Sequence, residues 1–149
     1  MTELLEQLNK ILSLEYAGVI QYMQNSFLVM GADRVVFAEF FRKQSSDALK
    51  HAALIGDKIV ALGGVPTVEA GEVRQSNDLA EMLDHSLQFE RSALEAYMKA
   101  WELATENKPL RFLLESIIQQ EQTHLEELEK IASKKLAIAT KGLSEVKHG

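Results

Sequence analysis

The sequence predicts an all-α protein that folds as a four-helix bundle with one long crossover between its second and third helices. Apolar residues recur at helical spacing along four stretches, and no alternating strand pattern is present. Only two prolines occur, Pro66 and Pro109, and both stand where the helical pattern breaks. Two of the three connections are short, whereas the one after Leu62 is long.

The first helix is predicted over about 3–30, with Thr2 as its N-cap and Gly31 as its stop. The second helix is predicted from after Asp33 to about Leu62, where a Gly-Gly pair ends it. The short connection between them makes the two helices antiparallel neighbours. Their apolar stripes comprise Leu4, Leu8, Ile11, Leu12, Val19, Tyr22 and Val29, then Phe37, Phe40, Phe41, Ala48, Ile55, Ile59 and Leu62.

The third helix is predicted to follow a Ser-Asn-Asp cap cluster and to run to about Ala104. The fourth opens near Pro109, because proline suits a first helical turn, and runs past Ile131. We assign residues 1–133 to the bundle and residues 134–149 to a helix extension and a short basic C-terminal tail.

The connection between the second and third helices, from Gly63 to Ser76, is long enough to cross the whole bundle. Its roughly 14 residues span about 45 Å when extended, at ~3.3 Å each. The second helix is about 42 Å long at ~1.5 Å per residue, so the third helix can start parallel to it. One long crossover is the ferritin-like topology, while a loose loop in a simple up-down bundle is the alternative.

Composition excludes several classes of function. The 149 residues include 16 Lys or Arg and 22 Asp or Glu, which gives a formal net charge of −6. We therefore expect no nucleic-acid partner, because phosphate binding needs a positive field, and we expect an attraction for cations. The absence of cysteine rules out disulfides, thiolate zinc sites, iron–sulfur clusters and thiol catalysis.

The N-terminal segment and the hydropathy of the chain indicate a cytoplasmic protein. The start Met1-Thr2-Glu3-Leu4 lacks the basic and apolar regions of a signal peptide. No stretch approaches the ~18 uninterrupted apolar residues of a membrane span, so we expect no membrane partner.

Acidic and histidine side chains interrupt the apolar stripes near the middle of all four helices. An unpaired buried carboxylate is costly, so three carboxylates beside two histidines need a shared cation. Glu121 and His124 form a Glu-x-x-His pair, whose members share one helix face. Carboxylate and imidazole together suit iron, manganese or zinc. The candidate metal ligands are Glu15, His51, Glu90, Glu121 and His124.

Several of these residues have plainer interpretations. Glu15 and Glu90 would be surface residues if the stripes were rotated by one position, and His51 could be an ordinary core histidine. Tyr22, two turns beyond Glu15, could donate a hydrogen bond to a ligand carboxylate or simply fill the core. Gln44 could offer an amide oxygen to the site or hold a water molecule.

Three other residues carry expectations about packing. His85 lies off the Glu90 face by helical spacing and is expected to be exposed. Gly18 and Gly56 lie inside predicted helices, where they are expected to permit a close approach between helices.

The chain resembles the bacterioferritins, within the ferritin-like di-iron carboxylate superfamily, over residues 3–133. The resemblance implies that Glu15 and Glu90 are terminal carboxylate ligands, that His51 and His124 are terminal histidines, and that Glu121 bridges two ions. It also implies up to two irons per chain, oxidised by O2 or peroxide and then stored as mineral. The strings that carry it are 15–22 EYAGVIQY, 47–52 DALKHA, 89–90 FE and 121–125 EQTHL.

Three features depart from the family pattern. Ala48 stands where a second bridging glutamate is expected, and Asp47 points about 100° away from it by helical geometry. Leu49 stands in place of the family's haem-ligating methionine, so no haem is expected. The family's short fifth helix has no clear counterpart in the tail. We expect Ala48→Glu to restore the missing carboxylate at a small packing cost.

The leading hypothesis is therefore an iron-binding protein whose oxidation and storage activity is impaired by Ala48. One alternative is a small di-metal oxidase or peroxidase that stores no mineral. Another is a non-catalytic bundle that binds a protein partner. A homodimer or larger homo-oligomer is expected, because four aromatic residues overfill a single apolar stripe: Tyr16, Phe37, Phe40 and Phe41.

Overall fold

The computed structural model describes residues 2–132, which form four α-helices. They are α1 (Thr2–Leu28), α2 (Arg34–Ala61), α3 (Leu79–Leu103) and α4 (Lys108–Ala132), with a short 3-10 turn, Gly31–Asp33, before α2. The predicted all-α bundle with a long crossover is confirmed. None of these helices has both the length and the apolar character needed to cross a membrane. The predicted helix extension and basic tail lie outside the described residues, as does His148.

The ends of the helices follow from their local sequence. The side chain of Asp78 accepts a hydrogen bond from the backbone N–H of Glu81, so it caps α3 as predicted. Gly63 has φ of +87°, and the hydrogen bonds of the Gly-Gly pair to carbonyls of the last turn of α2 form a Schellman motif. The helix α1 includes Thr2, which was predicted as its N-cap, and ends at Leu28.

The crossover, residues 62–78, is tied to successive turns of α1. Three hydrogen bonds join, in chain order, Val65 to Asn9, Gly71 to Ser13 and Arg74 to Gln21, over 2.9–3.1 Å. The contacts advance from the beginning of α1 towards its end, so the crossover climbs the bundle. The helix α3 therefore starts beside the end of α1 and runs parallel to α2, and the simple up-down alternative is wrong.

The core consists of two apolar clusters with a polar layer between them. The lower cluster includes Leu8, Ile11, Ile55, Tyr97, Leu110 and Leu114, all at most 2% exposed. The upper cluster includes Tyr22, Val29, Phe41, Met82, Leu83 and Leu128. Such packing excludes water from both sides of the polar layer, which makes any unpaired charge within it costly.

The aromatic residues behind the dimer prediction are placed differently from the expectation. Phe41 is fully buried, while Tyr16, Phe37 and Phe40 are half-buried and pack against the two clusters. None of the four is largely exposed, so together they form no open apolar patch. The large apolar side chains that are exposed on α1 and α2 are instead Ile20, Phe27, Val35, Val36, Leu49, Leu54 and Val60.

Two further expectations about single residues are revised. His85 is half-buried rather than exposed, and its Nε2 lies 3.8 Å from Glu81. A Cβ at Gly56 would meet nothing within 4 Å, so that glycine makes no close approach, whereas Gly18 does. Helical spacing predicts the direction in which a side chain points, but it does not predict the distance to the neighbouring helix.

Candidate metal centre

The five candidate ligands lie together in the polar layer, although they come from all four helices. Glu15, His51 and Glu121 form one group, and Glu90, Glu121 and His124 form a second, each with ligand atoms within 4.8 Å of one another. Glu121 on α4 belongs to both groups. Glu15 and Glu90 are 1% and 3% exposed, so the surface interpretation of these two residues is wrong.

His51 is oriented by contacts to both of its ring nitrogens. Its Nδ1 lies 2.9 Å from Oε2 of Glu15 and 3.0 Å from Oε1 of Glu121, yet neither contact has the alignment of a hydrogen bond. Its Nε2 lies 3.0 Å from Oε1 of Gln120, which accepts the Nε2 proton. Nδ1 is thereby left facing the carboxylates, an arrangement typical of a metal-ligating histidine rather than an ordinary core histidine.

Two tyrosine hydroxyls hold the candidate carboxylates of Glu90 and Glu15 in place. Tyr22 on α1 donates a 2.5 Å hydrogen bond to Oε1 of Glu90, and Tyr97 on α3 donates a 2.7 Å hydrogen bond to Oε2 of Glu15. Tyr22 therefore combines the two roles considered for it: its hydroxyl bonds a candidate ligand carboxylate, and its ring fills the core. Tyr97 was missed by the sequence analysis, although its position seven residues after Glu90 places both side chains on one helix face.

His124, which is 19% exposed, lies at the edge of the site and contacts Asp47. Oδ2 of Asp47 is 3.5 Å from Nε2 of His124 and 3.4 Å from Nζ of Lys43. Helical geometry predicts that Asp47 points away from the direction of position 48. His124 on α4 lies on the side of α2 to which Asp47 points. Gln44 is buried on α2. The side-chain amide that contacts the candidate ligand His51 belongs to Gln120 on α4.

The pKa values of the candidate ligands depend on burial and on the charges of the neighbouring ligands. Burial raises the pKa of Glu15 and raises that of Glu90 well above the ordinary value. Burial would also raise the pKa of Glu121, but the nearby Glu90 and His51 outweigh burial and lower it. Burial would lower the pKa of His51, yet the carboxylates of Glu121 and Glu15 raise it to about 10.

Three potential ligand atoms are buried without a hydrogen-bond partner among the described residues. They are Nδ1 of His51, Oε2 of Glu90 and Oε2 of Glu121. Unpartnered buried polar atoms are rare, because each one costs about 1–3 kcal/mol. The two carboxylate oxygens suit a bound cation, which would supply their missing contacts, whereas Nδ1 of His51 already faces two carboxylates at 2.9 and 3.0 Å.

The sequence-family model of the ferritin-like domain matches residues 5–136 of this chain. The chain belongs to the ferritin-like family. The ferritin-like chain is also similar to proteins named bacterioferritin, which supports the resemblance seen in the sequence. The one from Desulfovibrio desulfuricans is 28% identical over 134 residues, covering 88% of this chain and 75% of the relative. The one from Mycobacterium leprae is 28% identical over 130 residues, covering 85% and 82%.

Solved structures show the same fold. A ferritin-like, di-iron carboxylate protein from Bacillus anthracis str. Ames is 36% identical, with a TM-score of 0.86 over 89% of this chain and 96% of its own. A bacterioferritin from Rhodobacter capsulatus is 25% identical, with a TM-score of 0.79 over 89% and 84%. That protein has a metal-free dinuclear site and a haem iron. The ferritin-like chain is thus bacterioferritin-like in fold.

Proposed function

We propose that this chain binds iron at up to two positions in the polar layer, oxidises it with O2 or peroxide, and stores the product. Glu15, His51 and Glu121 would hold one ion, while Glu90, Glu121 and His124 would hold the other. The observation that carries the proposal is the set of buried ligand atoms without hydrogen-bond partners. Manganese or zinc would fit the same donor set.

The side chains around the ligands would hold them in position while iron binds, is oxidised and leaves. Iron is the substrate here: each ferrous ion gives one electron to the oxidant. The hydroxyls of Tyr22 and Tyr97 hold one oxygen of each terminal carboxylate, and Gln120 fixes the ring of His51. Hydrogen bonds from side chains that touch the ligands but not the metal keep the ligands oriented for metal binding.

An entry route for ions lies beside His124. A surface groove of about 310 Å³ is formed by Gln120 and His124 together with Ser116, Gln119 and Thr123. Gln120 and His124 take part in both the groove and the site, so an ion in the groove would be next to a ligand. The net charge of −6 favours the arrival of cations.

The proposal is tested by adding Fe(II) aerobically to the metal-free full-length chain. We expect O2 consumption, and we expect ferric iron to co-elute with a homodimer or larger assembly in size-exclusion chromatography with light scattering. Exposed apolar residues on α1 and α2, such as Ile20, Phe27 and Leu49, support the assembly. O2 consumption without retained iron would support the oxidase that stores no mineral. A chain that neither binds iron nor consumes O2 would contradict the proposal.

We predict that Tyr97→Phe and Tyr22→Phe each weaken metal binding by roughly 10–100-fold, the usual cost of losing an outer-shell hydrogen bond. Each hydroxyl orients one terminal carboxylate. Anaerobic calorimetric titration with Co(II) measures the effect. Tyr16→Phe is the matched control, since it removes a half-buried hydroxyl elsewhere on α1. Unchanged affinity in both test variants would show that the hydroxyls do not position the ligands.

We predict that the protein takes up no stoichiometric haem. Leu49 has no atom able to ligate iron where the resemblance places a methionine thioether, and its side chain is 57% exposed on α2. The absorption spectrum of protein produced with excess haem is the measurement, with Leu49→Met as the variant expected to gain a Soret band. A wild-type Soret band at one haem per two chains would refute the prediction.

A further inference from the structure

Phe89 rests directly on the backbone of α1 at Gly18. A Cβ built on Gly18 would lie 2.6 Å from Cζ of Phe89, closer than real Cβ contacts allow. The same Cβ would lie 3.4 Å from Cβ of Ala48. The ring of Phe89 and the methyl group of Ala48 therefore converge on one point of α1. The ring fits there because position 18 is a glycine.

This point of convergence adjoins the metal centre on three sides. Gly18 is one turn after Glu15, Ala48 is one turn before His51, and Phe89 directly precedes Glu90. The ring of Phe89 is fixed further by an edge-on contact with Tyr22, at 5.7 Å between ring centroids. Tyr22 in turn donates its hydroxyl proton to Glu90.

We infer that Phe89 sets the number of tightly bound ions, because its ring occupies the side of the site from which a carboxylate at position 48 would enter. The inference rests on the proposed function. It accounts for Gly18, which leaves room for the ring, and it places Ala48 next to the same point of α1. On this inference the space beside Ala48 is closed to a bridging group, and Ala48→Glu alone would not restore the missing carboxylate.

Charge then favours one tightly bound divalent ion over two. The three buried carboxylates, Glu15, Glu90 and Glu121, balance three of the four positive charges of two divalent ions, while Asp47 lies outside them, beside His124 at the edge of the site. An aromatic ring supplies no fourth negative charge. We assign the tighter position to Glu15, His51 and Glu121, because His51 is buried and its Nε2 is held by Gln120.

The second position is less well prepared for an ion. Its histidine, His124, is partly exposed, and its Nε2 faces Asp47 at 3.5 Å. It shares Glu121 with the first position, so the first ion takes part of the charge that the second would need. We expect the second ion to bind at least about tenfold more weakly than the first.

The test is an anaerobic titration of the metal-free full-length chain with Co(II), followed by calorimetry. Mn(II) titrations followed by electron paramagnetic resonance distinguish single ions from coupled pairs. In Ala48→Glu/Phe89→Leu, we expect the second ion to bind roughly 10–100-fold more tightly than in wild type. Ala48→Gln/Phe89→Leu is the matched control, because it has the same shape without the charge, and we expect no gain. Ala48→Glu alone is also expected to give no gain, because the ring remains.

A second, independent arm uses Phe89→Ala with formate as a small exogenous carboxylate. Formate is expected to tighten the second Co(II) in Phe89→Ala but not in wild type, since only the variant has space for it. An equal response in both proteins, or none in Phe89→Ala, would overturn the inference. So would a gain in Ala48→Glu alone that matches the double variant, or two equally tight ions in wild type. A chain that binds no ion in any form would refute the proposed function instead.

Discussion

Replacing Glu121 by glutamine is expected to weaken the binding of both ions by about 100-fold or more. Within residues 2–132, Glu121 is the side chain shared by the two groups of candidate ligands, and its Oε2 has no hydrogen-bond partner there. The loss should exceed the roughly 10–100-fold that accompanies loss of an outer-shell contact, because a direct ligand is removed. Anaerobic titration with Co(II) gives both dissociation constants.

The matched control for this substitution is Glu115→Gln, which makes the same change at an exposed position of α4. Its two dissociation constants should equal those of the wild type. Circular dichroism shows whether Glu121→Gln retains the helical bundle, so that a folding defect is not mistaken for a lost ligand. Weakening of only one ion would contradict the bridging position of Glu121.

Metal binding is expected to release protons and to strengthen by up to about tenfold per pH unit between pH 6 and 9. The carboxylates of Glu121 and Glu15 overcome burial and raise the pKa of His51 to about 10, so the metal-free ring is protonated at pH 7. A ligating histidine must be neutral, so an ion has to displace that proton. Higher pH removes the competing proton and therefore favours the metal.

Calorimetric titration of Co(II) in buffers of different ionisation enthalpy, at several pH values, measures both the affinity and the protons released. The control is His85→Gln, which changes a histidine outside the two ligand groups and should leave the pH dependence intact. An affinity that does not vary with pH would show that His51 is not displaced from a protonated state.

The same groups are expected to make the metal-free protein less stable in alkaline solution. The raised pKa of His51 stabilises the fold fully below about pH 6.5, its ordinary pKa. That contribution is lost as the pH rises towards about 10. Burial raises the pKa of Glu90, so ionising Glu90 above its ordinary pKa also costs stability. Both effects have the same sign, and a bound cation would oppose both.

The order and direction of the helices could be predicted because local signals determine them. Asp78 caps α3, Gly63 ends α2, and the length of the crossover decides that α3 runs parallel to α2. The aromatic residues on which the dimer prediction rests, such as Phe41, were expected to overfill one apolar stripe. Phe41 is instead fully buried, for a different reason. A helical stripe shows which residues turn inward, but not how much space the neighbouring helices leave for them.

The meeting of the five candidate ligands in one layer could be predicted because each is a charged or polar residue within an apolar stripe. Gln120 and Asp47 could not, since their contacts depend on how α2 and α4 are placed relative to one another. The contact between Gly18 and Phe89 depends likewise on the distance between helices. The spacing of residues along one helix does not determine the distance between two helices.

Anomalous diffraction from crystals soaked anaerobically in Fe(II) or Mn(II) would locate the bound ions. We expect a strong peak between Glu15, His51 and Glu121, and a weaker peak between Glu90, Glu121 and His124. Absence of both peaks from the polar layer, with the ions bound only at surface carboxylates, would contradict the proposed metal centre.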